Sequence, residues 1–595
     1  MDLPTGSFSR QGSTHTSNKN TVLEYPFAYR SRRSPVLCRN GCVASSQTLA
    51  SSIGLEILRS RGGNAADAAI AMAAALAVTE PCSTGLGGDV FALYYDAKTK
   101  SVSCINASGR SPAALTAETV KSYTKSTREI SPHMVTVPGA AMGWEDVYMR
   151  FGSGKIRFRD LLEPAAKLAE EGFPVAPLTA HFWTAEMKSI EFWHKYRVQE
   201  GLVDPQTPMP FTIEETQQPP KTGEIFRNPD LARVLRSLGE LGALNGFYNA
   251  FPGQAIVKTL QTLGGTMTMD DLIQHWNTYP DPISVQYRNT KLWQIPPNGQ
   301  GIAGLIALQG LEALEQQMSE DDSPVLDLSS CDEVDRYHAI MEMTRLGFAD
   351  ARKYVSDTDF NQTTKSDEGS VEWLLNEERI SKRAKKLYNP TKSTIDGHPD
   401  PTSCTVSFQV VDGEGNAISF VNSNYMGFGT GIVPTGTGFS LQNRGFGFDY
   451  ENPQHPNYIN GSKRPYHTII PGILTYADTN DLYATLSNMG GFMQPQGHVQ
   501  LTVNLVARGM DPQSAIDEPR FCIADGTYRG RAFLEPGVTV YTEAELFRRG
   551  HFLRISADGE HRVIFGKAQV IKRDPKTGVL WAGSDGRSDG CAMGF

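Results

Sequence analysis

Four side chains that can act as nucleophiles stand in a row at Thr402-Ser403-Cys404-Thr405, where a polar stretch gives way to the alternating strand pattern of Thr405 to Asp412. Hydroxyl residues ahead of a strand ordinarily form turns, so the run carries chemistry only if a base and an oxyanion site accompany it. A threonine hydroxyl is a poor nucleophile. It needs a base close by to take its proton. Cys404 is the rival nucleophile, since thiolates are intrinsically stronger. For the oxyanion, Gly490-Gly491 follows a strand pattern and can present backbone N–H groups with no side chain in the way. The same pair also suits a simple turn.

The elements that must position these groups are a mixture of helices and antiparallel strands. Val43 to Arg61 reads as a helix with Leu49, Ile53, Ile57 and Leu58 on one face, stopped by Gly62-Gly63. Asn64 caps a second helix, Ala65 to Val78, with Asp67 in its first turn and almost all small side chains. A glycine-rich bend, Glu80 to Asp89, leads into a strand, Val90 to Tyr95. Helices are expected at Asp160 to Glu171, Leu231 to Leu238, Gly253 to Leu263, Val334 to Ala351 and Gln496 to Arg508. Residues 180–225 and 355–400 read as loops, the latter mobile and polar. Thr405 to Asp412, a turn at Gly413-Glu414-Gly415-Asn416, and Ala417 to Ser423 form a hairpin signal. Further strands are expected at Ile469 to Tyr476, Tyr483 to Leu486, Val563 to Lys567 and Gln569 to Lys572. There is no regular βαβ alternation and no internal repeat.

Composition narrows the function classes. The net charge is −9, from 56 basic and 65 acidic residues, and no basic stripe marks a nucleic-acid partner. The longest apolar run, Ala68 to Val78, is too short and alanine-rich to span a bilayer, so no membrane is expected. The N-terminus is polar, without the charged-then-apolar pattern of a secretory signal, and the expected compartment is the cytoplasm. Roughly the first 20 residues offer no apolar face and read as a mobile tail, and Ser319 to Ser323 as an acidic surface loop. The eight cysteines are scattered, without paired ligand spacing, so free thiols are expected and no metal or cofactor.

Six motifs in order give the chain a resemblance to the γ-glutamyltranspeptidase family, over roughly residues 35–595. Asn64-Ala65-Ala66-Asp67-Ala68 with the Glu80 to Asp89 bend resembles its N-terminal signature. Thr405 to Asp412 resembles its nucleophile strand. Phe428 to Ile432, Lys463-Arg464-Pro465, Gly490-Gly491 and Gly583 to Ser588 follow in register. The resemblance implies an α+β, four-layer αββα sandwich of the N-terminal-nucleophile hydrolases. It implies an inactive precursor cut between Cys404 and Thr405. Behind a tail of residues 1–34, residues 35–404 would form a large fragment and 405–595 a small one, held together as a heterodimer. Thr405 would be the nucleophile, Gly490-Gly491 the oxyanion hole and Ser423 the hydroxyl that orients Thr405. A strand serine also serves simply as a backbone partner. Asn424 is expected to reach substrate. His467 and Thr468 stand where the family holds the substrate carboxylate with a serine pair, although a structural histidine fits equally.

The chain departs from the family where the free amino-acid end of a γ-glutamyl group binds. Gly447 stands where an acidic residue is expected, and Arg444 replaces a neutral amide. Ser108 takes the place of the family's arginine, with Arg110 two residues on and so on the same strand face. Tyr425 replaces an asparagine. A buried ammonium without its carboxylate costs several kcal/mol. The expected reaction is therefore cleavage of a γ-glutamyl-like or related small-molecule acyl amide through an acyl-enzyme on Thr405, with water or an amine as acceptor, and an arginine-rich pocket suits a carboxylate-bearing acyl group of glutaryl or oxamate type that lacks the α-amine. A glutathione-directed γ-glutamyltransferase and a catalytically dead binding homologue are the rivals.

Overall fold

The computed structural model describes residues 33–121, 128–318, 325–360, 367–394, 404–523, 532–555 and 559–595. The N-terminal tail, the acidic loop, Thr402, Ser403 and the Cys404 side chain lie outside the described residues.

Two antiparallel sheets lie face to face. One has six strands in the order Cys591–Gly594, Cys42–Ser45, Cys404–Val411, Ala417–Tyr425, Asp89–Asp96 and Ser101–Ala107. The other has seven: Val36–Cys38, Leu580–Ser584, Lys567–Arg573, Leu482–Met489, Gly472–Tyr476, Thr290–Gln294 and Ile283–Tyr287. Side chains alternate across each strand, and the alternation sorts the core into three layers. Along Asp89–Asp96, Phe91, Leu93 and Tyr95 pack between the sheets with Val421, Ile473 and Ile571. Val90, Ala92 and Tyr94 point the other way, into the core under helices Thr48–Arg59, Ala65–Thr79 and Ala140–Phe151. A third core lies between the seven-stranded sheet and helices Gly301–Glu315, Glu333–Tyr354 and Met493–Thr502. This is the αββα sandwich.

Helix Ala65–Thr79 is buried along its whole length, and its small side chains let it lie close against the sheet. Asn64 and Asp67 close a reciprocal capping box at its start. The six-stranded sheet mixes strands from both sides of Cys404, with Cys404–Val411 between Cys42–Ser45 and Ala417–Tyr425. A cut before Thr405 would leave the two fragments interleaved in one sheet.

Some local expectations differ from the structure. The segment at Val43 begins as strand Cys42–Ser45, and its helix starts only at Thr48. Helices Pro177–Glu186 and Lys188–Gln199 occupy part of the expected 180–225 loop. Helices Val371–Leu374 and Glu377–Leu387 occupy part of 355–400, the second buried only at Ile380 and Ala384. Gly559–Phe565 is a 3-10 turn rather than strand, because Gly566 at φ 74° breaks the chain before Lys567–Arg573.

Candidate active site

Val406, Phe408 and Val410 face the helix-side core, so Thr405, Ser407 and Gln409 face the opposite sheet. Gln409 confirms the direction by donating to Ser487 Oγ at 2.6 Å. On the neighbouring strand Ile418 and Phe420 take the helix side, and Ser423 shares the inner face with Thr405. The two hydroxyl oxygens lie 3.0 Å apart, both side chains fully buried. The Tyr425 N–H donates to Ser423 Oγ at 2.9 Å, and Arg444 Nη2 donates to the same oxygen at 3.2 Å.

Arg444 carries the network onward. Its Nη1 donates to Thr468 Oγ1 at 2.8 Å, and its guanidinium stacks over the Tyr425 ring at 4.3 Å. Its Nε lies 4.0 Å from Asp89 Oδ2 and makes no hydrogen bond. Burial lowers the Arg444 pKa to about 10, opposed in part by Asp89 and Tyr425. Asp89 sits at the start of its strand, where its Oδ1 accepts the N–H groups of Gly109 and Gly139, each at 3.1 Å. Its Oδ2 accepts His467 Nε2 at 3.1 Å. Burial pushes His467 down to about 3, with Arg444 adding to the effect, so this imidazole is neutral. Both of its ring nitrogens are used, since Nδ1 accepts from Ile469 N–H at 3.4 Å.

Gly490 and Gly491 follow strand Leu482–Met489, which packs across from strand Cys404–Val411. Both take positive φ, 125° and 54°, a conformation glycine adopts without strain. Their carbonyls accept Met493 N–H at 2.8 Å and Gln494 N–H at 3.2 Å, starting helix Met493–Thr502. Gln300 Nε2 donates to both Gly491 O, at 2.9 Å, and Thr468 O, at 2.6 Å. A hydrogen-bonded path thus runs from Thr405 through Ser423, Arg444, Thr468 and Gln300 to Gly491. The glycine-rich bend supports it from behind, as a Cβ on Gly88 would stand 2.3 Å from the Ser423 carbonyl oxygen.

The remaining expected site residues stand further off. Asn424 turns away from Ser423 and donates to Pro81 O at 3.3 Å. Arg110 stacks on the exposed Trp276 at 4.0 Å and donates to its carbonyl at 3.1 Å. Burial and then Arg464 lower its pKa to about 10. Sequence reasoning passed over Asp89 and Gln300. Asp89 was read as part of the glycine bend, and the one available signal was an acid in an otherwise apolar and glycine-rich stretch. Gln300 lies 105 positions before Thr405 with no periodic pattern to mark it.

Among the described residues, His338, Glu342 and His551 bring metal-capable atoms within 4.8 Å of one another. The two imidazoles hydrogen-bond each other at 2.7 Å, and Arg345 and Arg549 stand close enough to oppose a further positive charge. Glu342 instead accepts from Ser393 Oγ and Thr394 N–H, at 2.7 and 2.8 Å. The trio serves as a polar anchor for that segment.

Comparison with known proteins places this geometry. The sequence profile described as Gamma-glutamyltranspeptidase matches residues 50–595. A "Glutathione hydrolase-like YwrD proenzyme" of Bacillus subtilis is 33% identical, over 93% of this chain and 98% of the relative. An "Oxamate amidohydrolase proenzyme" of Klebsiella pneumoniae is 29% identical with the same coverages. The crystal structure of a cephalosporin acylase from Bacillus halodurans superposes with a TM-score of 0.80 at 37% identity, covering 96% of this chain and 98% of the other.

Proposed function

The chain belongs to the γ-glutamyltranspeptidase family of hydrolases and acyltransferases, and we propose that it is an autoprocessed amidase whose nucleophile is Thr405 and whose acyl substrate carries a carboxylate. In processing, Thr405 Oγ attacks the Cys404 carbonyl, the Cys404–Thr405 C–N bond breaks, and water hydrolyses the resulting ester. The freed α-amino group then takes the Thr405 hydroxyl proton as the oxygen attacks a substrate amide. The N–H groups of Gly490 and Gly491 stabilise the tetrahedral oxyanion. The amine product leaves with the proton, and water or an amine accepts the acyl group from Thr405.

The observation that carries this reading is the 3.0 Å pair of Thr405 and Ser423 with a buried guanidinium on the same serine. Among the described residues Arg444 keeps an unused Nε–H and has Asp89 as its one nearby acid. Asp89 is already engaged by two backbone N–H groups and His467. Such a cation suits a carboxylate on the acyl group, and a relative named for oxamate hydrolysis supports the same class. Asp89 also supports a second reading, γ-glutamyl transfer, in which it pairs with an α-ammonium. Hydrolysis of glutaryl and γ-glutamyl anilides separates the two. The first reading predicts a higher kcat/KM for the glutaryl compound, and strong preference for the γ-glutamyl compound would establish the second.

A further inference from the structure

We propose that Gln300 is a positioning residue, a side-chain brace that holds the oxyanion loop and the carboxylate-holding loop in one fixed relation. The proposal rests on Thr405 catalysis as read above. Gln300 is fully buried, at the junction between strand Thr290–Gln294 and helix Gly301–Glu315. Its two amide protons go to two carbonyls on different loops, Thr468 O and Gly491 O. Its Oε1 accepts the Tyr466 hydroxyl at 3.0 Å, which fixes the amide against flipping. Its own N–H donates to His467 O at 3.0 Å, a second tie to the same loop.

The need for such a brace follows from the loops themselves. Two successive glycines at positive φ have no side chains to pack, so their peptide planes are held only by hydrogen bonds. Gly491 O has the Gln494 N–H at 3.2 Å and the Gln300 amide at 2.9 Å. Removing the shorter bond frees the Gly491–Phe492 peptide, the next one along from the Gly490–Gly491 peptide that carries an oxyanion donor, and so loosens the loop at Gly491. It also unpairs Thr468 O, on the residue whose hydroxyl seats Arg444. Losing an oxyanion donor costs about 100–1,000-fold in rate, and a misplaced donor costs part of that.

The test compares Gln300→Leu, Tyr466→Phe, their double variant and Gln300→Asn with the wild type. Each is assayed for fragment formation, melting temperature, and kcat and KM on an anilide that the wild type hydrolyses. Gln300→Leu is expected to lower kcat about 10-fold or more, with KM changed less than about threefold and processing slowed. Tyr466→Phe, which removes the partner of Oε1 but keeps both carbonyl bonds, gives a smaller loss. The double variant is no worse than Gln300→Leu, because both act through one group. A folded Gln300→Leu enzyme with wild-type kcat overturns the proposal. If that variant does not fold, an unchanged kcat in Gln300→Asn, whose amide is one methylene too short to reach both carbonyls, overturns it instead. An uncut, inactive wild type would remove the reading beneath the proposal, an outcome distinct from a brace that does not matter.

Discussion

Two buried arginine sites reach the Gly490-Gly491 loop through different partners, and they are built differently. Arg587 donates to Asp585 at 2.9 Å and to Glu535 at 2.8 Å, and Arg520 meets Asp585 at 2.8 Å. Burial alone would lower the Arg587 pKa, but the two carboxylates raise it above its ordinary value. Arg444 has one acid at 4.0 Å, a stacked ring and an unused donor, and its pKa falls to about 10. The first site is saturated and holds Asn488, through Arg520 Nη1 at 2.9 Å, at the foot of the glycine loop. The second is left short of negative charge beside Ser423 and Thr405. A saturated network maintains shape, whereas an unsaturated buried cation is prepared for an anionic ligand.

That contrast can be broken most forcefully from the saturated side. Asp585→Asn leaves two buried guanidiniums undercompensated and is expected to cost about 3–5 kcal/mol in stability, read by denaturant unfolding. A loss below about 1 kcal/mol would erase the distinction. Arg444→Met should behave oppositely. Stability stays within about 1 kcal/mol, while kcat/KM for a carboxylate-bearing acyl amide falls about 30-fold or more. Equal losses on a neutral acyl amide would show that Arg444 merely shapes the pocket. Asp89→Asn sharpens the comparison further. It removes the one nearby counter-charge of Arg444 among the described residues, so stability drops by about 1–3 kcal/mol while KM for the carboxylate-bearing substrate falls. A raised KM would assign Asp89 to binding an ammonium.

Stability should also depend on pH. His275, His467 and His498 are each pushed to about 3, burial being the first cause in every case. Unfolded histidines titrate near about 6.5. Between those values the unfolded chain binds more protons than the folded one, so stability falls as pH drops below about 6.5. Melting temperatures measured from pH 7.5 to 4.5 should decline progressively, and a flat profile would contradict these neutral, buried imidazoles.

Much of this was legible in the sequence where local pattern decides structure. The hairpin Thr405 to Ser423 has period-two alternation, and it alone puts Thr405 and Ser423 on one face. Asn64 and Asp67 announce their capping box three residues apart. The contacts of Arg444 were not legible, because Asp89, Thr468 and Ser423 come from three separate elements brought together only by the sandwich. The same holds for Gln300. Helix Glu377–Leu387 was read as mobile and polar because it is mostly charged, with Ile380 and Ala384 its buried side chains. Arg110 was expected inward by strand parity, but strand Ser101–Ala107 ends before it, so the parity no longer applies.

The central claim, that Thr405 becomes an N-terminal nucleophile, is tested most directly by the intact mass of the purified protein under denaturing conditions with N-terminal sequencing of the smaller fragment. The account predicts two chains, the smaller beginning at Thr405, and a single uncut chain for Thr405→Ala. A fragment beginning at Cys404 would make this a cysteine enzyme, and a wild-type chain that stays whole on long incubation would contradict the account.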